Sequence, residues 1–240
     1  MRRLVALAFH AERLHEATTW AQMARVVRRI DHCGAGATVF IYPLPAHLAG
    51  CDLTERVRTL AALGQEIGQH THFYAGTRIG KAEKADDFSD QNVQHCIERD
   101  LRLIEQAGAR SHGFISGGWV VTPKVVDTLA DLGFSYDCSA RLPTRGRHAG
   151  SVFHEWLTAP RVDERGARHL IRLPTTCSLG EWFRWGWRIS AEGAERFQIV
   201  YLHDYDLNRR RIRWLLAAFL RLNHNRLVRV GALLGRVATE

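Results

Sequence analysis

A seven-stranded (β/α) barrel, closed or incomplete, is the α/β fold class that this 240-residue sequence predicts. Three observations predict it. Short apolar runs of strand length alternate with helix-period segments along the whole chain, the pattern of parallel βαβ units. Glycines follow most helical segments, at Gly34, Gly64, Gly108 and Gly133, where helices commonly stop. About seven such units fit into a chain that is 46% hydrophobic and 24% charged, enough for one large core, so a single domain over residues 1–240 is expected.

The elements follow in order. Leu4–Phe9 is an apolar run that predicts a buried first strand. Trp20, Met23, Val26, Val27 and Ile30 recur at helical spacing, with Thr18 or Thr19 as the expected cap. Ala37–Tyr42 is rich in β-formers and stops at Pro43 and Pro45. A helix is expected over Leu53–Leu63, then a short strand over Gln65–His70. Ala75–Asp90 is charged and loop-like, a possible lid. Helices over Gln91–Ala107 and Pro123–Leu132 flank a strand at Gly113–Ile115. Strands are expected at Phe134–Cys138, Leu170–Leu173 and Phe197–Leu202. A last helix, Arg211–Leu222, leads to Arg226–Val230.

Composition narrows the function classes. The five cysteines (Cys33, Cys51, Cys96, Cys138, Cys177) are scattered and form no CxxC pair, which argues against a disulfide framework and a thiolate zinc site. The opening Met1–Phe9 has basic residues before an apolar run, but the run is short and no small-residue cleavage site follows His10. With no bilayer-length apolar stretch, a cytoplasmic protein is expected. The formal net charge of +8 attracts anions, and Arg209–Arg213 (with Ile212) is the densest basic run. That run reads either as a solvated helix face or as a contact for an anionic surface. No nucleic-acid motif accompanies the charge, and the oligomeric state is open.

In parallel α/β folds, active sites gather at the carboxyl ends of strands. Here His10 and Glu12 follow the first strand, His70, His72 and Tyr74 follow the third, and His203, Asp204 and Asp206 follow the last long one. Thirteen histidines is a high count, and three strand ends carry them. Residues i and i+2 of an extended chain project to one side, so His10 with Glu12 and His70 with His72 can converge on one point. Imidazole with carboxylate suits zinc, with nickel or cobalt as other candidates. Trp119, Trp182, Phe183, Trp185 and Trp187 are aromatic faces that either stack on sugar rings or seal a barrel end.

Several segments resemble the polysaccharide-deacetylase superfamily (NodB homology, carbohydrate esterase family 4). Ala37-Thr38-Val39-Phe40 is similar to that family's Ala-Thr-Phe-Phe strand. Gly64–Thr71 resembles its Gly-His-Glu-Ile-Gly-Asn-His-Thr segment, and Leu132–Asp137 its Leu-Gly-Phe-x-Tyr-Asp. Val200–Asp204 resembles the terminal Leu-x-His motif. The resemblance extends over roughly residues 3–235 and implies a metal-dependent deacetylase on a distorted (β/α) barrel. It implies His70 as a metal ligand and His203 as the general acid.

The departures are equally specific. The family's paired aspartates are replaced by His10 and Ala11, with Glu12 next. The second histidine of its His-Ser/Thr-x-x-His motif is Tyr74, and Ile115-Ser116-Gly117-Gly118 stands where an arginine precedes Pro-Pro-Gly. A divergent member with a remodelled site is therefore expected. In it Glu12, His72 and His10 serve as replacement ligands, with Glu12 or His10 as base. Asp204 or Asp137 would orient His203, and Tyr74, Trp119 and Trp185 would contact substrate. The expected reaction is hydrolysis of an amide C–N bond, deacetylating an N-acetylated sugar or small glycoside. The alternatives are a deformylase or other amidohydrolase acting on a phosphate-bearing substrate, and a carbohydrate-binding pseudoenzyme.

Overall fold

The computed structural model describes residues 3–74, 87–143, 153–165, 168–186 and 196–237. The chain runs β1 (Leu4–Ala11), α1 (Ala17–His32), β2 (Thr38–Ile41), α2 (Leu44–Leu48), α3 (Thr54–Ala62) and β3 (Glu66–Thr71). It continues through α4 (Asp90–Gln106), β4 (Gly113–Ser116), α5 (Pro123–Asp131), β5 (Tyr136–Asp137), β6 (Arg161–Arg165) and β7 (Arg168–Arg172). It ends with β8 (Cys177–Ser178), α6 (Leu179–Arg184), β9 (Phe197–His203), α7 (Arg210–Asn223), β10 (Leu227–Val228) and α8 (Leu234–Val237).

The sheet order is β6-β7-β5-β4-β3-β2-β1-β9-β8, with β10 beside β1. All pairings are parallel except β6 with β7. The two ends of this path belong to one stretch of chain. Residues 168–178 pair with β5 through β7 and with β9 through β8, and the Thr175 N–H donates to the Ala140 carbonyl between them. Counted around the curl, β1 to β5, this stretch and β9 supply the seven positions of a distorted (β/α) barrel.

Alternation sorts the residues into two layers. Ala6, Ala8, Phe40, Ile115, Tyr136 and Ile199 fill the interior. Val5, Leu7, Phe9, Val39 and Ile41 face outward onto α1, α3 and α7. Such burial supplies roughly 25 cal/mol for each Å² of apolar surface removed from water. The interior is full enough that a Cβ at Gly113 would enter the Tyr136 ring. At the amino end of the strands, Glu66 accepts hydrogen bonds from Tyr136, Thr38 and the Gly231 N–H, so the segment after β10 plugs that end. A half-buried carboxylate held by several donors avoids the cost of an unpaired charge.

Most expected elements form within one or two residues of their predicted bounds; the differences have local causes. The α1 helix begins at Ala17 with Glu16 at the cap position, and Thr19 is buried inside the first turn, its hydroxyl donating to Glu16. The strand expected over Phe134–Cys138 is reduced to Tyr136–Asp137, because Phe134 still closes the turn after α5 through its N–H to the Leu129 carbonyl. β6 was not expected: Arg161–Arg165 is a charged, largely exposed edge strand without apolar alternation. Of the expected lid, residues 75–86 lie outside the described residues, and Asp90 already belongs to α4. No helix among the described residues is long and apolar enough to cross a membrane.

Candidate metal and acid–base site

β1 and β3 deliver the centre of the site at the carboxyl end of the barrel. His10, the penultimate residue of β1, is in register with His203 of β9, and Glu12 follows directly after the strand. His70 lies in β3 and His72 just beyond it. The Glu12 carboxylate oxygen Oε1 lies 3.3 Å from His70 Nε2 and 3.2 Å from His72 Nε2. His203 Nε2 stands 3.8 Å from the same oxygen. Among the described residues, Glu12, His70 and His72 are the group whose ligand atoms all fall within 4.8 Å of one another.

The proton inventory of His70 decides what that group can hold. Its Nδ1 lies 3.0 Å from the Ile115 carbonyl, which only accepts, so Nδ1 carries the proton. In a neutral ring Nε2 then presents a lone pair to the Glu12 carboxylate, two acceptors face to face at 3.3 Å. A cation must lie between them, either a second proton or a metal ion. A carbonyl fixing the tautomer is the usual outer support of a metal-binding histidine. Tyr74 braces His72, its hydroxyl, able to donate or accept, 2.8 Å from Nδ1 and its ring stacked on the imidazole. Two imidazoles and a carboxylate form a donor set suited to zinc or another first-row ion.

Burial alone would raise the Glu12 carboxyl; with the second proton rather than a metal between them, hydrogen bonds from His70 and His72 and their charge would hold it well below the usual carboxylate range. His10 is different. It is buried, its Nε2 has no hydrogen-bond partner among the described residues, and its ligand atoms fall outside the three-residue group. Burial, then the neighbouring His70 and His203, lower its pKa well below the ordinary histidine value. It is packed among rings: His70 at 4.9 Å, Tyr201 at 5.0 Å, His203 at 5.1 Å and Trp119 at 5.5 Å between centroids.

The support of His203 differs from the expectation. Asp206, not Asp204 or Asp137, faces His203, with Oδ2 at 3.6 Å from Nδ1. The 3-10 turn after β9 rotates successive side chains apart, so Asp204 points instead at the loop after β1. There its carboxylate accepts the Arg13 and Tyr205 N–H groups and fixes the backbone beside Glu12. Burial raises the Asp204 carboxyl to about 6 despite these donors. Asp137 lies on the outward face, paired with Arg172 at 2.7 Å and hydrogen-bonded by Ser139.

Among the aromatics, Trp119 and Tyr74 belong to the site. Trp185 does not reach it: it closes α6 and packs on the outer cluster between sheet and helices. Trp187 lies outside the described residues. Four residues were missed from sequence. Tyr42 packs 5.0 Å from His72, Tyr201 and Tyr205 stack on His10 and His203, and Arg141 lies over Trp119. Tyr201 was legible in principle, two residues before His203 on the same strand. A cleft of about 450 Å³ opens beside the cluster, lined by Glu12, Arg13, His15, Tyr42, His72 and Tyr74 among others.

The backbone is similar to that of a candidate polysaccharide deacetylase from Mycobacterium smegmatis. The TM-score is 0.63 at 15% identity, covering 94% of this chain and 86% of that one. A pseudoenzyme of carbohydrate esterase family 4 from Bacillus anthracis gives 0.57 at 12% identity, covering 97% of this chain and 66% of that one. A family 4 carbohydrate esterase from Streptomyces lividans, in complex with acetate, gives 0.53 at 14% identity, covering 95% and 92%. The chain thus has the fold of the polysaccharide deacetylases. No family model and no curated protein matches its sequence.

Proposed function

We propose that this protein is a divergent polysaccharide deacetylase, a metal-dependent hydrolase that removes an acetyl group from an N-acetylated sugar. The observation that carries this reading is the His70–Glu12–His72 convergence with the His70 proton locked on Nδ1. Glu12, His70 and His72 would hold a divalent ion, zinc by donor chemistry, with nickel or cobalt as alternatives. Bound there, such an ion supplies polarisation of the acyl carbonyl and acidification of a water.

The acid–base work falls to the flanking histidines. His10 offers an unoccupied Nε2 in the barrel mouth and serves as the base that takes the proton of the attacking water. His203, backed by Asp206, protonates the leaving amine as the C–N bond breaks, releasing free amine and acetate. Tyr74 positions His72, and Trp119 presents an aromatic face to the sugar. Fold likeness to a pseudoenzyme leaves the carbohydrate-binding alternative, which has no use for the locked tautomer.

The test is metal content with turnover. Purified protein should carry or take up about one equivalent of zinc, nickel or cobalt, lost in His70→Ala and Glu12→Gln. Metal-loaded protein should release acetate from N-acetylated oligosaccharides. Wild type that neither holds nor takes up any of these ions would overturn the reading.

A further inference from the structure

Arg141 is a cation at the barrel mouth with no carboxylate within salt-bridge distance among the described residues. Its guanidinium carbon lies 4.9 Å from the Trp119 ring and 5.6 Å from the Trp156 ring. Stacking occupies the faces of a guanidinium and leaves its edge donors free, and it holds the group in place before anything binds. Backbone pairing fixes the base of the side chain, because Arg141 bridges to both Trp156 and Thr175.

Trp119 itself is held at a cost. It has φ 62°, the one non-glycine residue with positive φ among the described residues, directly after Gly118 at φ 66°. The preceding Gly117 lies so close to the site that a Cβ there would enter the His72 imidazole. His154 Nε2 lies 2.8 Å from the Gly118 carbonyl and braces the turn. Backbone strain of this kind persists where surrounding structure enforces it, and it clusters at binding and catalytic sites. The enforced result is one indole touching both the His10 ring, at 5.5 Å, and the Arg141 guanidinium.

We infer that Arg141 binds an oxyanion carried by the substrate, a phosphate or a carboxylate, so that the sugar hydrolysed is an acidic one. This deepens the reading of the site as a sugar hydrolase and rests on it. Planar, preorganised donors match the two oxygens of such an anion, and the net charge of +8 favours its approach. The Trp119 indole lies between the anion and the reacting acyl group.

Binding decides it, with N-acetylglucosamine 1-phosphate, N-acetylmuramic acid and neutral N-acetylglucosamine titrated by calorimetry into wild type, Arg141→Gln and Arg141→Lys. The wild type should favour at least one acidic sugar over the neutral one by about tenfold or more. Preference for the phosphate or the carboxylate probe identifies the source of the oxyanion. Arg141→Gln should abolish the preference, bringing the affinity for the acidic sugars down to that for the neutral one. Arg141→Lys, which keeps charge but not the planar fork, should retain part of it and serves if the glutamine variant does not fold. No acidic preference in wild type, or one that survives Arg141→Gln, overturns the inference. Acetate release without acidic preference leaves the hydrolase reading intact, whereas acidic preference without metal uptake overturns that reading alone.

Discussion

At the scale of residues, the site turns on which atom of each imidazole carries a proton. The Ile115 carbonyl answers this for His70, and Asp206 faces the Nδ1 of His203. A carboxylate beside the far nitrogen favours the imidazolium form of the ring, whose Nε2–H is the proton a leaving amine needs. Asp206→Asn should therefore lower kcat by about 10- to 100-fold with KM little changed, and Asp206→Glu should restore part of it. Steady-state kinetics on the metal-loaded enzyme would check this; a change confined to KM would mean that Asp206 acts on substrate instead. The clustering of Glu12, His70 and His72 was legible because a strand has a period of two, which pairs His10 with Glu12 and His70 with His72 on sight. Asp206 was not legible, because choosing it over Asp204 requires knowing that the chain leaves β9 in a 3-10 turn.

At the scale of elements, α4 docks on β3 through polar groups that strand and helix periodicity cannot announce. Asp100, on the buried face of α4, is fully enclosed and paired with Arg99 at 2.8 Å. Burial raises its carboxyl from 3.8 to about 6, against the pull of Arg99. Between those values the folded state keeps a proton that the unfolded chain has released. The folded state binds more protons there, so this group's contribution to stability falls as pH rises through that window. Asp100→Asn titrates in neither state. Its stability penalty should be larger at pH 4.5 than at pH 7, by on the order of 2 kcal/mol, measured by urea unfolding. Equal penalties at the two pH values would contradict the assignment. Aromatic clustering misled in a similar way for α6. Trp182 and Trp185 are three residues apart, which on a helix places them together on the outer core rather than at the mouth.

At the scale of the molecule, the alternation of strands and helices was enough to foresee the barrel, but not how it holds its uneven side. That side depends on Arg172, with 0% of its side chain exposed, bound to Asp137 at 2.7 Å, Glu155 at 2.6 Å and Asp163 at 3.3 Å. These partners come from β5, from the segment before β6 and from β6 itself. Arg161 still pairs Glu155 and Asp163 if Arg172 is removed, but the fully buried Asp137 loses its cation, and an uncompensated buried charge costs about 3–5 kcal/mol. Arg172→Met should lower the Tm by on the order of 10 °C. A drop under about 2 °C would mean that the barrel holds its shape without the cluster.

β1 adjoins β2, β9 and β10, partners that lie roughly 30, 190 and 220 residues further along the chain, and it also carries His10 and delivers Glu12. Contacts at such separation are the slowest to form, because a long loop must close before they repay it. The strands β1 and β3 bring Glu12, His70 and His72 from the first third of the chain, whereas His203 arrives only with β9, so on the proposed reading the donor set is encoded about 130 residues before the acid that would use it.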